Sequence, residues 1–149
     1  EDTEKAREAL ETAREEGSAE ALSMLGNIYL NQNDTAGARE VFEQALEGDD
    51  QAAAQNGLAL CDIVEGNYDS ALEHIESGLA DAQGQDRENL LYNQIVAYER
   101  KLDFEQAKTL MASFLEEFPD NEAAIRENRF RHPAVENYFA PDGADFECF

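Results

Sequence analysis

Residues 25–29 read LGNIY, and Ala38, Phe42 and Ala45 follow at helical spacing. A leucine and a glycine stand side by side, an aromatic residue comes one turn later, and a second amphipathic run carries the alanines and the phenylalanine. Small residues let two helices approach closely, and aromatic rings fill the space between neighbouring helix pairs. The stretch therefore predicts two helices packed against each other.

The same pattern returns twice along the chain, with Ala38, Ala71 and Ala107 marking the period at spacings of 33 and 36 residues. The second unit begins at residue 51, and its further pattern residues are Leu58, Ala59, Ile75 and Gly78. The third unit carries Leu91, Tyr98, Phe104, Met111, Phe114 and Pro119. One helix pair cannot bury its apolar face alone, so we expect the units to stack on each other.

These units resemble the tetratricopeptide repeat (TPR), a helix–turn–helix unit of 34 residues. The resemblance covers residues 6–121 and implies an all-α, right-handed superhelical α-solenoid of about three helix pairs. Within a TPR domain at 1–130, we expect a half repeat at 2–17, repeats at about 18–50, 51–86 and 87–121, and a capping helix at 122–130. The remaining residues, 131–149, form an irregular tail that contains aromatic side chains.

Capping residues place the helices of the first unit. Ser18 is the expected cap of a helix at Ala19–Asn31, and Asp34 or Thr35 is the expected cap of its partner at Ala36–Glu47. The second unit departs from the pattern in two ways.

Asp62 stands in the place that Tyr29 has in the first unit. We therefore expect either a small rotation of that helix or a carboxylate that reaches solvent. Residues 81–86 predict a polar loop that is longer than the repeat needs.

The chain has 149 residues and a formal net charge of −23. Phosphate binding requires clustered Lys and Arg, so nucleic acid is excluded as a partner and an anionic membrane surface is disfavoured. No apolar run is long enough to span a bilayer, which argues against direct membrane insertion. The chain begins at Glu1 and not at methionine, so we expect a native N-terminus to be missing; the compartment, a signal peptide and a lipid anchor stay open.

Candidate catalytic and metal-binding residues are few. His74 follows Glu73 on a helix face expected to point outwards, so we predict a solvated side chain, and His132 is the other histidine. Cys61 is interpreted as a buried small hydrophobe, and with Cys148 it forms neither a disulfide framework nor a metal spacing. The sequence contains no phosphate loop, nucleophile elbow or calcium loop, so we predict a non-enzymatic protein without cofactor or metal.

The TPR resemblance implies that the first helices of the units line a concave groove. By the repeat frame, the groove residues are Ser23, Asn27, Leu30, Asn31, Asn56, Leu60, Ile63, Val64, Asn89, Tyr92, Val96 and Arg100. Asparagine amides donate to and accept from a peptide backbone, and apolar side chains between them take the side chains of an extended or helical peptide. The alternative is that these are ordinary helix-surface residues.

One TPR subclass holds the acidic C-termini of chaperone ligands with a clamp of cations and asparagines. In this chain the clamp positions fall on Ser23, Asn27, Gly57, Asn89 and Asn93. Every cation is absent, and the acidic chain should repel a terminal carboxylate. We therefore predict no binding of this kind of ligand.

Residues 40–86 contain no Lys or Arg, while acidic residues recur throughout. If this excess of acidic residues has a function, a basic partner binds to residues 40–86, and the affinity of that partner falls steeply with salt. The alternative is the solvated surface of a salt-adapted protein.

The tail carries five aromatic residues from its helix junction onwards: Phe130, Tyr138, Phe139, Phe146 and Phe149. Disordered tails are usually poor in aromatic residues, so we expect part of this tail to pack over the last helices. The alternative is that the tail lies in a concave groove, its own or a neighbour's.

The pattern favours a protein-interaction scaffold whose groove binds a peptide or a partner helix. The alternative is a structural or assembly module, a fragment of a longer repeat protein whose upstream helix completes the stack. An enzyme or small-molecule binder has no support beyond ordinary polar residues.

Overall fold

The structure is a computed structural model that describes residues 2–15, 17–49 and 51–131. These residues form eight α-helices and no strand, which confirms the all-α prediction. The helices are α1 (Asp2–Glu15), α2 (Ala19–Asn31), α3 (Thr35–Ala45), α4 (Gln51–Glu65), α5 (Tyr68–Leu79), α6 (Gly84–Arg100), α7 (Phe104–Glu117) and α8 (Glu122–Arg131).

Each helix packs against the next one along the chain. The helices α2, α4 and α6, which begin the three units, also contact their neighbours side by side. Such an array is an α-solenoid, in which every unit supports the adjacent ones. The right-handed twist and the number of repeats stay predictions.

The three turns within the units share one geometry. Asn33, Gly66 and Leu102 each adopt a left-handed backbone conformation, with φ of 61°, 81° and 66°. In each turn the following N–H donates to the carbonyl oxygen five residues earlier, at 2.8–2.9 Å: Asp34 to Tyr29, Asn67 to Asp62 and Asp103 to Tyr98. The units therefore repeat in backbone detail as well as in sequence pattern.

Side-chain caps begin the helices of the first unit. The Ser18 hydroxyl accepts a hydrogen bond from the Ala21 N–H at 3.3 Å, and α2 has the predicted bounds. The Asp34 carboxylate accepts from the Gly37 N–H at 2.9 Å, so Asp34 is the cap of α3. The predicted end of α3 was two residues too late, because the chain after Ala45 tightens into i→i+3 hydrogen bonds.

The polar loop predicted at residues 81–86 is shorter than expected. Helix α6 begins at Gly84, inside the predicted loop, and Ala82 is buried in the core between α5 and α6. The additional residues thus lengthen the first helix of the third unit instead of its loop.

Phe42 is the side chain on which the first two units meet. Its ring is 1% exposed. A Cβ atom at Gly26 of α2 would lie 2.5 Å from the ring, and one at Gly57 of α4 would lie 2.3 Å from it. The predicted close approach at Gly26 is confirmed, and Gly57 plays the same role on the next helix.

Asp62 is buried, with 2% exposure, so the expectation that its carboxylate reaches solvent is wrong. Its carboxylate accepts hydrogen bonds from the Arg39 guanidinium at 2.7 Å and from the Ser70 hydroxyl at 2.6 Å. Arg39 also donates to Glu65 at 2.8 Å. A buried carboxylate is costly without partners, and these groups from α3 and α5 supply them. The other expectation, a small rotation of α4, stays a prediction.

His74 is half-buried, so the prediction of a solvated histidine is wrong. Its Nδ1 lies 2.7 Å from the Gln55 amide oxygen, and its Nε2 lies 3.6 Å from the Asp62 carboxylate. The sequence did not reveal that α5 turns this face towards α4.

The predicted capping helix is present as α8, which extends to Arg131. The Asn121 amide oxygen accepts from the Ala124 N–H at 2.9 Å and begins this helix. Both expectations for the tail concern residues 132–149, which lie outside the described residues.

Candidate functional site

Three helices, α2, α4 and α6, contribute asparagines to one concavity of about 350 Å³. We call it the asparagine groove and define it by its lining residues: Asn27, Asn56, Leu60, Glu88, Asn89, Tyr92, Asn93, Asn121 and Ala123. Most of these residues are amides, and they come from every unit and from the start of α8. The groove therefore runs across the repeats and is not confined to one of them.

Hydrogen bonds hold several of the groove amides in place. The Asn93 amide nitrogen donates to the Asn56 amide oxygen at 2.8 Å and joins α6 to α4. The Asn121 amide nitrogen donates to the Glu88 carboxylate at 2.7 Å and joins the turn before α8 to α6. The first bond does not use the Asn56 amide nitrogen or the Asn93 amide oxygen, so each can face a ligand in a fixed orientation.

Two apolar side chains lie among these amides. Leu60 and Tyr92 are half-buried, and the Tyr92 ring packs edge-on against Phe114 with 5.8 Å between ring centroids. Phe114 is 2% exposed, so Tyr92 rests on the rigid core of the third unit. The groove thus offers apolar surface beside hydrogen-bonding groups.

The groove contains one charged lining residue, Glu88, and no Lys or Arg. Of the five clamp positions, the three asparagines line the groove, whereas Ser23 and Gly57 are buried. A terminal carboxylate in the groove would meet an acidic residue without a compensating cation.

The structure brings together five of the twelve residues predicted for the groove: Asn27, Asn56, Leu60, Asn89 and Tyr92. Five further predicted residues are exposed or half-buried but do not line the asparagine groove: Leu30, Asn31, Ile63, Val64 and Val96. Leu30 packs against the buried cluster that contains Phe42 and Leu58. Ile63 packs against the core of the second unit, so both residues contribute to packing.

Two predicted groove residues lie elsewhere. Ser23 is buried, and its hydroxyl has no hydrogen-bond partner within the described part of the chain. Arg100 lines a separate cleft beside the turn at residues 66–70. We therefore leave both out of the asparagine groove.

Sequence reasoning missed Glu88, Asn121 and Ala123 as lining residues and placed Asn93 only in the clamp. The missing signal was the cap at Asn121, which predicts where α8 begins and brings that turn beside α6. Glu88 was missed because the repeat frame placed its neighbour Asn89, and not Glu88, on the groove face.

Asp62, Ser70 and His74 are the residue types of a hydrolase triad, but their geometry is different. Ser70 donates its hydrogen bond to Asp62 and not to His74, so the serine–imidazole contact of a triad is missing. The nearby Cys61 is buried, and burial raises the pKa of its thiol to about 11. A thiol with this pKa is a poor nucleophile at neutral pH.

A second concavity of about 310 Å³ lies between α7 and α8. We call it the α7–α8 cleft; its lining residues are Glu99, Phe104, Ala107, Lys108, Met111, Glu127 and Asn128. Its lining is largely apolar, and Phe104 is 57% exposed there.

The described residues contain neither a metal-binding cluster nor a membrane-spanning helix. No group of three or more His, Cys, Asp or Glu side chains in that part of the chain is placed to hold a metal ion. None of the helices between residues 2 and 131 has the length and apolar character needed to cross a membrane.

Comparison with known families supports the repeat assignment. One family model described as tetratricopeptide repeat matches residues 1–53 and 23–87, and a second with the same description matches residues 90–121. The comparison with curated proteins gave no match. Tetratricopeptide repeats generally mediate protein–protein interaction and are typically non-enzymatic. The chain belongs to the tetratricopeptide repeat family.

Proposed function

We propose that this protein is an interaction scaffold that binds an extended peptide segment of a partner protein in the asparagine groove. The observation that supports this most strongly is the convergence of asparagines from three successive units around one cavity. An extended backbone presents N–H and C=O groups at regular intervals, and amide side chains pair with both.

The arrangement favours an extended segment over a helix. A helix uses its backbone groups internally, so it has little need of fixed amides, whereas an extended segment leaves its backbone groups available. Leu60 and Tyr92 then take apolar side chains of the peptide between the hydrogen-bonded positions.

The charge of the surroundings favours a neutral or basic segment. Glu88 lies in the groove, and the chain as a whole carries a net charge of −23. Electrostatic attraction between such a surface and a basic segment raises the association rate and weakens with salt.

The proposal is tested by selecting binders from a displayed library of random 12-residue peptides with the full chain as bait. The double variant Asn27→Ala/Asn56→Ala should weaken binding of the selected peptides by about 5- to 150-fold, because each lost hydrogen bond costs about 0.5–1.5 kcal/mol. Asn31→Ala is the matched control, since Asn31 is exposed on the same helix as Asn27 but does not line the groove.

Equal losses in the double variant and the control would place the binding site elsewhere. A partner recovered only as a large assembly, with affinity unaffected by the groove variants, would support the assembly-module alternative instead.

A further inference from the structure

The α7–α8 cleft exists because α8 packs differently from α2 and α4, the helices that begin the first two units. In α2 and α4 the residue one turn after the first buried alanine is a buried leucine, Leu25 and Leu58. In α8 the buried alanine is Ala124, and the residue one turn later is Asn128, which lines the cleft. The space that a leucine fills in α2 and α4 is therefore left open here.

Helix α7 is more exposed at its start, beside the cleft, than farther along. Phe104 at the start of α7 is 57% exposed, whereas Met111 two turns later is 4% exposed.

The cleft is large enough for aromatic side chains. A dry cavity of about 150 Å³ is sufficient to bind benzene, so 310 Å³ has room for an aromatic ring together with a neighbouring side chain. Phe104, Ala107 and Met111 supply the apolar contacts, and methionine sulfur packs favourably against ring edges.

We infer that the α7–α8 cleft binds the chain's own segment after α8, with Tyr138 and Phe139 as the anchoring side chains. Asn128 in the cleft lies only three residues before Arg131, the last described residue, a rise of about 5 Å. The seven residues from 131 to 138 extend to about 24 Å, which is more than enough to return to the cleft.

Photo-crosslinking in the full chain tests this inference. Phe139 is replaced by p-benzoylphenylalanine, and the matched control carries the same residue in place of Phe149. After irradiation, we expect a crosslink within one chain to the α7 peptide that contains Met111, with a yield several-fold higher than in the control. A second variant adds Asn128→Leu, which puts a leucine where α2 and α4 have one and should reduce the crosslink several-fold by filling the cleft.

Three outcomes would overturn the inference: a crosslink to α7 no stronger than in the Phe149 control, crosslinked dimers in place of crosslinked monomers, or a yield that Asn128→Leu leaves unchanged. Circular dichroism of each variant confirms that the helices are intact, so that a lost crosslink reports on the cleft. Binding of the selected peptides in the asparagine groove is measured in the same variants and should be unaffected, which separates this inference from the proposed function.

Discussion

Glycines on two different helices face the Phe42 ring, and neither helix has room for a Cβ atom there. Gly26 and Gly57 are helical, and glycine ordinarily costs a helix about 1 kcal/mol relative to alanine. Because an added Cβ would lie 2.5 or 2.3 Å from the ring, this helix cost is smaller than the cost of overpacking. The glycines are thus explained by packing and not by backbone conformation.

Gly57→Ala should lower the free energy of unfolding by about 1–2 kcal/mol, the overpacking cost less the gain in helix propensity. Urea denaturation followed by circular dichroism measures this change. In a Phe42→Leu background the obstructing ring is absent, and the same substitution should then be neutral or stabilising. An equal loss in both backgrounds would contradict the packing explanation.

Leu102 adopts a left-handed conformation that costs a residue with a Cβ about 1–2 kcal/mol. Its side chain is 72% exposed, so little packing is lost on removing it. Leu102→Gly should therefore stabilise the protein by about 0.5–1 kcal/mol, part of the relief being offset by the greater freedom of glycine in the unfolded chain. Leu102→Ala keeps the Cβ and serves as the control; a gain of the same size in thermal or urea unfolding for alanine would exclude backbone strain as the cause.

The hydrogen bonds around Asp62 link three helices. Arg39 of α3 pairs with Asp62 and Glu65 of α4, and Ser70 of α5 donates a further hydrogen bond to Asp62. Asp62 replaces a tyrosine whose counterpart Tyr29 donates from its hydroxyl to Glu11 at 2.7 Å. That hydrogen bond is the main reason that the pKa of Tyr29 is raised, with burial adding to it. Both units thus use this position to join neighbouring helices, by different chemistry.

Arg39→Met should destabilise the protein by about 2–3 kcal/mol, because it leaves the Asp62 carboxylate buried without its cation. The expected cost is below that of a fully buried pair, since 28% of the Arg39 side chain is exposed. Arg14→Met is the control: Arg14 pairs with Glu40, whose side chain is 68% exposed, and should cost less than about 1 kcal/mol.

The double variant Arg39→Met/Asp62→Leu removes both charges and should be more stable than Arg39→Met alone. Urea unfolding of the unmodified protein, Arg39→Met, Arg14→Met and the double variant checks the comparison. A double variant that is less stable than the single one would mean that Asp62 does more for this junction than its pairing with Arg39 explains.

The sequence predicted elements better than the contacts between them. The α2 bounds follow from a local cap, and the apolar period identifies each helix pair, because both signals lie within a few residues. The Asp62 network could not be predicted from such local signals. Arg39, Ser70 and His74 come from other helices, and only the fold brings them to Asp62. The same holds for the groove: asparagines on separate helices were predicted from the repeat frame, whereas Asn121 enters through the packing of a turn.

Cations are few in the whole molecule, and several of them join successive helices. The chain has 11 Lys and Arg against 34 Asp and Glu. Among the described residues, ion pairs that cross between elements include Arg14–Glu40, Arg39–Asp62, Arg39–Glu65, Arg87–Glu117 and Lys101–Asp69. In the Arg87–Glu117 pair the hydrogen bond raises the pKa of the guanidinium and lowers that of the carboxyl.

Salt has two opposite effects on the stability of the fold. It weakens the attraction within these pairs, and it weakens the repulsion among the surplus acidic residues. Exposed pairs contribute little, whereas repulsion among the surplus acids acts over the entire surface. We therefore expect the melting temperature to rise by several degrees between 20 mM and 500 mM NaCl, as the screening length falls from above 20 Å to below 5 Å. A melting temperature that falls over this range would mean that the ion pairs between helices outweigh the repulsion.

The central claim is that the stacked units present one asparagine-lined surface to a peptide, and the side-chain amide resonances of those asparagines report on it most directly. In an NMR titration of the full chain with a selected peptide, the amide signals of Asn27, Asn56, Asn89, Asn93 and Asn121 should shift. Those of Asn31 and Asn128, which lie outside the groove, should stay in place. Shifts confined to α3 and α5, with the groove amides unchanged, would contradict the account.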